Sequence, residues 1–291
     1  MNEIKNISYN VKNLNHCPLD YILEEVYKLG KINILTIGTG ECAYFTSKQN
    51  FSDNDKQLNY SYILEDKEIV FGDFSSLEDA FSLLNNSEYK TIVVITCIPA
   101  IMNLNLDYLI DQYPKLLLFS APCFKEKNIQ KILSDFYYVF FSKINLTIKE
   151  KTEKLNYDEY SYDLFIDKIS SSTLIIENPV YLKLAKFLSE KYKIKIIYNT
   201  KINNLNFYKE NHSLLDISQK DIEEIEAKLK KINKKETYNV LTNYPSLKEF
   251  VNQYEININL VDEKTNDTIV VNEAKPFDAL IKFIRSAYAF K

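Results

Sequence analysis

Two spacings of apolar residues run along the chain, one helical and one continuous, and they take turns. Residues 18–29, PLDYILEEVYKL, place Leu19, Ile22, Leu23, Val26 and Leu29 on one helical stripe, with Pro18 suited to a first turn and Gly30 to a stop. KINILTIG (31–38) follows as an unbroken apolar strand. The same alternation predicts a hairpin-like stretch at 60–64 and a helix over SSLEDAFSLLNN (75–86), capped by Ser75 or Ser76. A strand at TIVVIT (91–96), a helix at 104–113 and a strand at KLLLFS (115–120) come next. NIQKILSDF (128–136) then reads as a helix and YYVFFS (137–142) as its strand.

From about residue 146 to 171 the chain is polar and without a clear period, which marks it as a linker. Beyond it the alternation resumes. Strands are expected at 172–177, 194–199, 238–242 and 256–261, with helices at 179–192, 218–232 (capped by Ser218), 246–254 and 276–290. Continuously apolar strands that alternate with helices belong to parallel sheets covered on both faces. The expected class is therefore α/β, with two Rossmann-like parallel-sheet βα domains, residues 1–150 and 151–291.

Composition narrows the function classes. A chain of 291 residues that is 46% hydrophobic and 26% charged is an ordinary globular protein. A net charge of −4 and a single arginine, Arg285, argue against general nucleic-acid binding. No apolar run approaches the roughly 18 residues that cross a bilayer, and MNEIKNISYN lacks the basic start and apolar run of a signal peptide. The four cysteines do not form a secreted disulfide framework, so reduced thiols in a cytoplasm are expected.

Those cysteines change the picture most. Cys42 follows the strand ending near Ile37, Cys97 follows TIVVIT, and Cys123 follows KLLLFS. In a parallel sheet all three lie beyond one carboxyl edge, where open α/β sheets bind their ligands. Cys17 opens the helix that precedes the first strand, and the N-terminus of that helix belongs at the same edge, where exposed N–H groups favour thiolates. Each thiol alone is equally at home as a small apolar residue. A structural zinc site would want a close C-x-x-C pair, which is absent. Ligands scattered over several βα loops suit an iron–sulfur cluster in a shallow cup. Three ligands leave the fourth position to Cys123, a partner chain or an open site. His16, beside Cys17, and Glu41, before Cys42, are the candidate catalytic groups at this rim.

These segments together resemble the nitrogenase component 1 proteins, a family that includes molybdenum–iron protein subunits, cofactor scaffolds, dark-operative protochlorophyllide reductase subunits and smaller tetrapyrrole reductases. HCPL (16–19) is similar to the first cysteine segment, GTGECAYF (38–45) to the second and IVVITCIPAIM (92–102) to the third. YILEDKEIVFGDFSSLEDAF (62–81) and LLLFSAPCF (116–124) resemble the segments around them. The second half resembles the last Rossmann-like domain of the family more weakly.

The resemblance implies a [4Fe–4S] cluster at a subunit interface held by Cys17, Cys42 and Cys97, with Cys123 as the candidate fourth ligand. It also implies a homodimer or a related component 1-like partner, and electrons from an ATP-dependent iron protein. The reading is then an oxidoreductase subunit acting on a tetrapyrrole or a small unsaturated or thioether compound. The alternative is a non-catalytic scaffold that holds a cluster or cofactor precursor. Three departures bear on this. One βα domain of the family is missing, no cysteine follows Cys123 to anchor an iron–molybdenum cofactor, and Asn103, Asn105 and Asp107 stand where paired acidic residues are common.

Overall fold

The computed structural model describes residues 17–48, 57–104, 106–124, 128–156, 158–265, 267–273 and 275–289. It divides into two compact units, Met1–Ile196 and Ile197–Lys291. Both are α/β, and their sheets are parallel.

The first unit begins with α1 (Pro18–Leu29), β1 (Ile32–Gly38), α2 (Gly40–Lys48) and β2 (Asn59–Ile63), then α3 (Asp66–Phe71), α4 (Ser75–Asn85) and β3 (Lys90–Ile95). It continues through α5 (Cys97–Ile101), α6 (Asp107–Ile110), β4 (Leu116–Ser120) and α7 (Ile129–Phe141). Its main sheet has the order β2-β1-β3-β4. Successive side chains of a strand point to opposite faces. Ile32, Ile34, Ile92 and Val94 therefore meet Leu19, Ile22 and Val26 of α1 and Phe136 and Phe140 of α7. Leu35, Ile37, Val93 and Ile95 meet Leu77, Phe81 and Leu84 of α4 on the other side. Both faces are covered, which is why β1 is buried along its whole length.

Several expectations change here. The stretch at 60–64 is no hairpin: β2 is an edge strand that runs parallel to β1, in the register Ile34↔Asn59 to Gly38↔Ile63. The helix expected over 104–113 is only the single turn of α6. Ser75 and Ser76 do not cap α4; the cap position falls on Phe74, which offers no side-chain acceptor, and Asp73 accepts the Ser75 N–H at 3.1 Å. YYVFFS is no strand, because α7 continues through it. Its buried residues Ile132, Leu133, Phe136, Tyr137, Phe140 and Phe141 keep one helical stripe to the end.

The polar stretch is not a linker. It contains β5 (Lys149–Leu155) and α8 (Tyr162–Ile169), followed by β6 (Ser171–Ile176), a 3₁₀ turn at Pro179–Tyr181, α9 (Leu182–Tyr192) and β7 (Lys195–Tyr198), in the sheet order β5-β6-β7. Lys149, Lys151 and Glu153 of β5 pair with charges of α8. Asp167 of α8 binds Lys149 at 2.7 Å and Lys151 at 2.5 Å, and these two lysines hold its carboxyl down to about 2; Lys168 binds Glu153 at 2.9 Å. The core beside α1 continues through α7 into Phe165, Leu174, Ile176, Leu184 and Ile194. A boundary at residue 150 would cut that core, and the compact units part at Ile196 instead.

The second unit carries α10 (Leu205–Asn211), α11 (Gln219–Leu229), β8 (Thr237–Thr242), α12 (Ser246–Asn252), β9 (Asn257–Leu260), β10 (Thr268–Val271) and α13 (Pro276–Ala289). Its strand order is β10-β8-β9. Ser218 caps α11 as expected, accepting the Lys220 N–H at 3.2 Å. Neither α10 nor β10 is expected from the pattern of the chain.

Candidate functional site

In the order β2-β1-β3-β4 the crossover after β1 leads to one side and that after β3 to the other. The two strands thus flank a topological switch point, the usual ligand crevice of an open parallel sheet. Cys42 lies in the first turn of α2, after β1, and Cys97 is the first residue of α5, after β3. Cys123 follows β4, and Cys17 caps the N-terminus of α1. All four thiols are free.

The closest approach is between Cys97 and Cys123, whose sulfurs are 2.8 Å apart. The Cys123 N–H also donates to Cys97 Sγ at 3.2 Å. Burial pushes the Cys97 thiol up, and its contact with the Cys123 thiol adds to the shift, while the Cys123 and Phe124 N–H groups oppose it. Cys17 is near enough to feel the charges of both. Its expected activation by the helix terminus does not prevail. Burial is the larger effect and pushes the thiol up to about 11; the Leu19 N–H offsets only part of it, and Asp20 adds to the rise. Without a metal, Cys17 is therefore a neutral thiol at neutral pH.

Cys42 faces a different neighbour. Its S–H donates to Thr96 Oγ1 at 3.3 Å, and the Thr96 hydroxyl in turn donates to the Ile37 carbonyl at 2.8 Å. Gly38 makes this approach feasible. A Cβ there would sit 2.3 Å from Thr96 Oγ1, 2.9 Å from Cys42 Cβ and 3.0 Å from Cys42 Sγ. Gly40 has open space around it, so only the first glycine of the pair is required for packing. Glu41 is fully exposed, and a hydrogen bond from the Thr39 side chain holds its carboxyl below the usual carboxylate range. It sets a negative charge at the start of α2. His16 lies outside the described residues.

The rim therefore brings Cys17, Cys97 and Cys123 into one electrostatic neighbourhood and leaves Cys42 turned towards Thr96. Among the described residues, no three His, Cys, Asp or Glu side chains stand close enough together to hold a metal ion. The donor chemistry, four sulfurs at one edge, nevertheless suits an iron–sulfur cluster. Exposed apolar side chains stand on the same elements: Tyr44 on α2, Ile98 and Ile101 on α5, and Phe124 beside Cys123. The sequence shows the four cysteines, but not the contacts that Cys42 and Gly38 make with Thr96. Thr96 follows the last residue of β3 directly, and that position was the available signal.

No protein-family model matches the chain, and no curated protein sequence matches it.

Proposed function

We propose that the chain is an iron–sulfur subunit of a reductase of the nitrogenase component 1 type. It would receive electrons from an ATP-hydrolysing iron protein and relay them to a reducible tetrapyrrole or a small unsaturated or thioether compound. The observation that carries this reading is the placement of Cys42, Cys97 and Cys123 after three strands of one parallel sheet, with Cys17 near enough to Cys97 and Cys123 to interact with them. Cys17, Cys42 and Cys97 would be ligands, with Cys123 in the fourth position. When bound, a [4Fe–4S] cluster supplies an electron relay.

The residues of the chain prepare that site in three ways. Gly38 lets the loops after β1 and β3 close on each other. The Cys17 thiol, neutral through burial, releases its proton on ligation, which makes loading dependent on pH. Tyr44, Ile98, Ile101 and Phe124 supply an apolar surround of the kind that a second subunit covers. No helix among the described residues is long and apolar enough to cross a membrane.

EPR spectra of the anaerobically reconstituted chain, before and after dithionite, test the reading. Reduction should give a cluster signal that Cys17→Ser abolishes, whereas silence in both states would refute it. The exposure of Cys123 favours a second reading, a scaffold that hands its cluster on. Transfer of iron and sulfide to an apo-ferredoxin faster than from free iron would select the scaffold.

A further inference from the structure

The Cys97–Cys123 pair has a chemistry that needs no metal. At 2.8 Å the two sulfurs are closer than the roughly 3.5–4.0 Å of an ordinary heavy-atom contact, and they approach the about 2.05 Å of a disulfide bond. The partners are fixed by the fold. Cys97 opens α5 one residue beyond β3, Cys123 follows β4, and β3 and β4 are hydrogen-bonded neighbours from Thr91↔Leu116 to Ile95↔Ser120. The Cys123 N–H donor further holds Cys97 Sγ against the second loop. Cys42, occupied with Thr96, is not part of the pair.

We propose that Cys97 and Cys123 form a reversible intramolecular disulfide, so that the rim is a thiol–disulfide exchange site for low-molecular-weight disulfides. Cys123 is the exposed member and reacts first. Its thiolate attacks one sulfur of the external disulfide. That S–S bond breaks, a mixed disulfide forms on Cys123, and one small thiolate leaves and takes up a proton. Cys97 then gives its proton to solvent and attacks the Cys123 sulfur, which closes the protein disulfide and releases the second small thiol. Two electrons and two protons pass from the protein dithiol to the external disulfide. The inference rests on the geometry of the pair and stands with or without the cluster reading. With the bond closed, both sulfurs are withdrawn from any metal.

The test uses the metal-free full-length chain, incubated anaerobically with glutathione disulfide, alkylated, digested with trypsin and mapped by mass. Cleavage after Lys90, Lys115 and Lys125 puts Cys97 and Cys123 on separate peptides. The expected result is loss of two of the four free thiols. The Cys97 and Cys123 peptides should be joined, Cys17 and Cys42 alkylated, and the link reversed by dithiothreitol. Cys42→Ser should keep the link, and Cys97→Ser should leave glutathione on Cys123. Circular dichroism establishes that each sample is folded. Both thiols alkylated in folded protein, glutathione on each without a link, or links spread evenly over the four cysteines would overturn the proposal.

Discussion

Gly38 and Gly40 stand two residues apart, yet they respond oppositely to an added methyl group. In Gly38→Ala the new Cβ meets the buried Thr96 hydroxyl at 2.3 Å, and neither the short Thr96 side chain nor the backbone has room to yield. A loss of about 1–3 kcal/mol is expected, read as a lower urea midpoint. Gly40→Ala meets nothing within 4 Å in the first turn of a helix and should be neutral or slightly stabilising. Equal effects of the two variants would contradict the packing described.

Glu25 gives a second test at this scale. Its half-buried carboxylate accepts the Tyr137 hydroxyl at 2.7 Å, and burial raises its pKa above the usual carboxylate value although Tyr137 and Lys28 oppose the rise. A raised folded pKa favours the native state at low pH, and that contribution disappears as pH climbs through the folded value. Glu25→Gln should therefore gain on the wild type as pH rises past the carboxylate range. A pH-independent difference between their unfolding free energies would count against it. The cysteines and glycines at this scale are visible as residue types, but the Thr96 contact and the Glu25–Tyr137 bond join positions far apart in sequence. Only the folded sheet brings them together.

At the scale of elements, the predictable ones are those whose apolar pattern agrees with their local preference. β1, β3, β4, α1, α11 and α13 are of this kind. α7 is not: YYVFF is rich in strand-favouring residues, and the helical stripe overrides that preference because Phe140 and Phe141 fall where α8 and α9 pack. Phe141 is fully buried, 4.5 Å from the Phe165 ring centroid and 5.8 Å from that of Tyr137. Phe141→Ala should cost about 3–5 kcal/mol in denaturant unfolding. A cost below about 1 kcal/mol would place the ring outside the core. β5 escapes notice for another reason. It is an edge strand, KEKTEKL, paired on one side by β6, with Lys149 and Lys151 meeting Asp167 and Glu153 meeting Lys168. Such charges keep an edge from pairing with other chains, and they also hide its period.

On the scale of the whole molecule, the continuous core from Leu19 to Ile194 makes the first unit longer than its alternation of strands and helices suggests. A fragment 1–199 should unfold cooperatively, whereas 1–150 loses β6, α8 and α9 from the α7 face and should not; denaturant titrations followed by circular dichroism check both. Sheet order is the feature that periodicity cannot supply. The rim of cysteines follows from strands that end in βα loops, but the neighbouring of β3 and β4, which pairs Cys97 with Cys123, does not. The proposed function requires this rim to hold an iron–sulfur cluster. Iron and acid-labile sulfide, counted on the chain reconstituted anaerobically after full reduction, test it most directly alongside Cys17→Ser, Cys42→Ser and Cys97→Ser. About four irons and four sulfides per cluster, lost in each folded variant, is the result predicted. Iron absent from the fully reduced, folded wild type, or retained in all three variants, would contradict it.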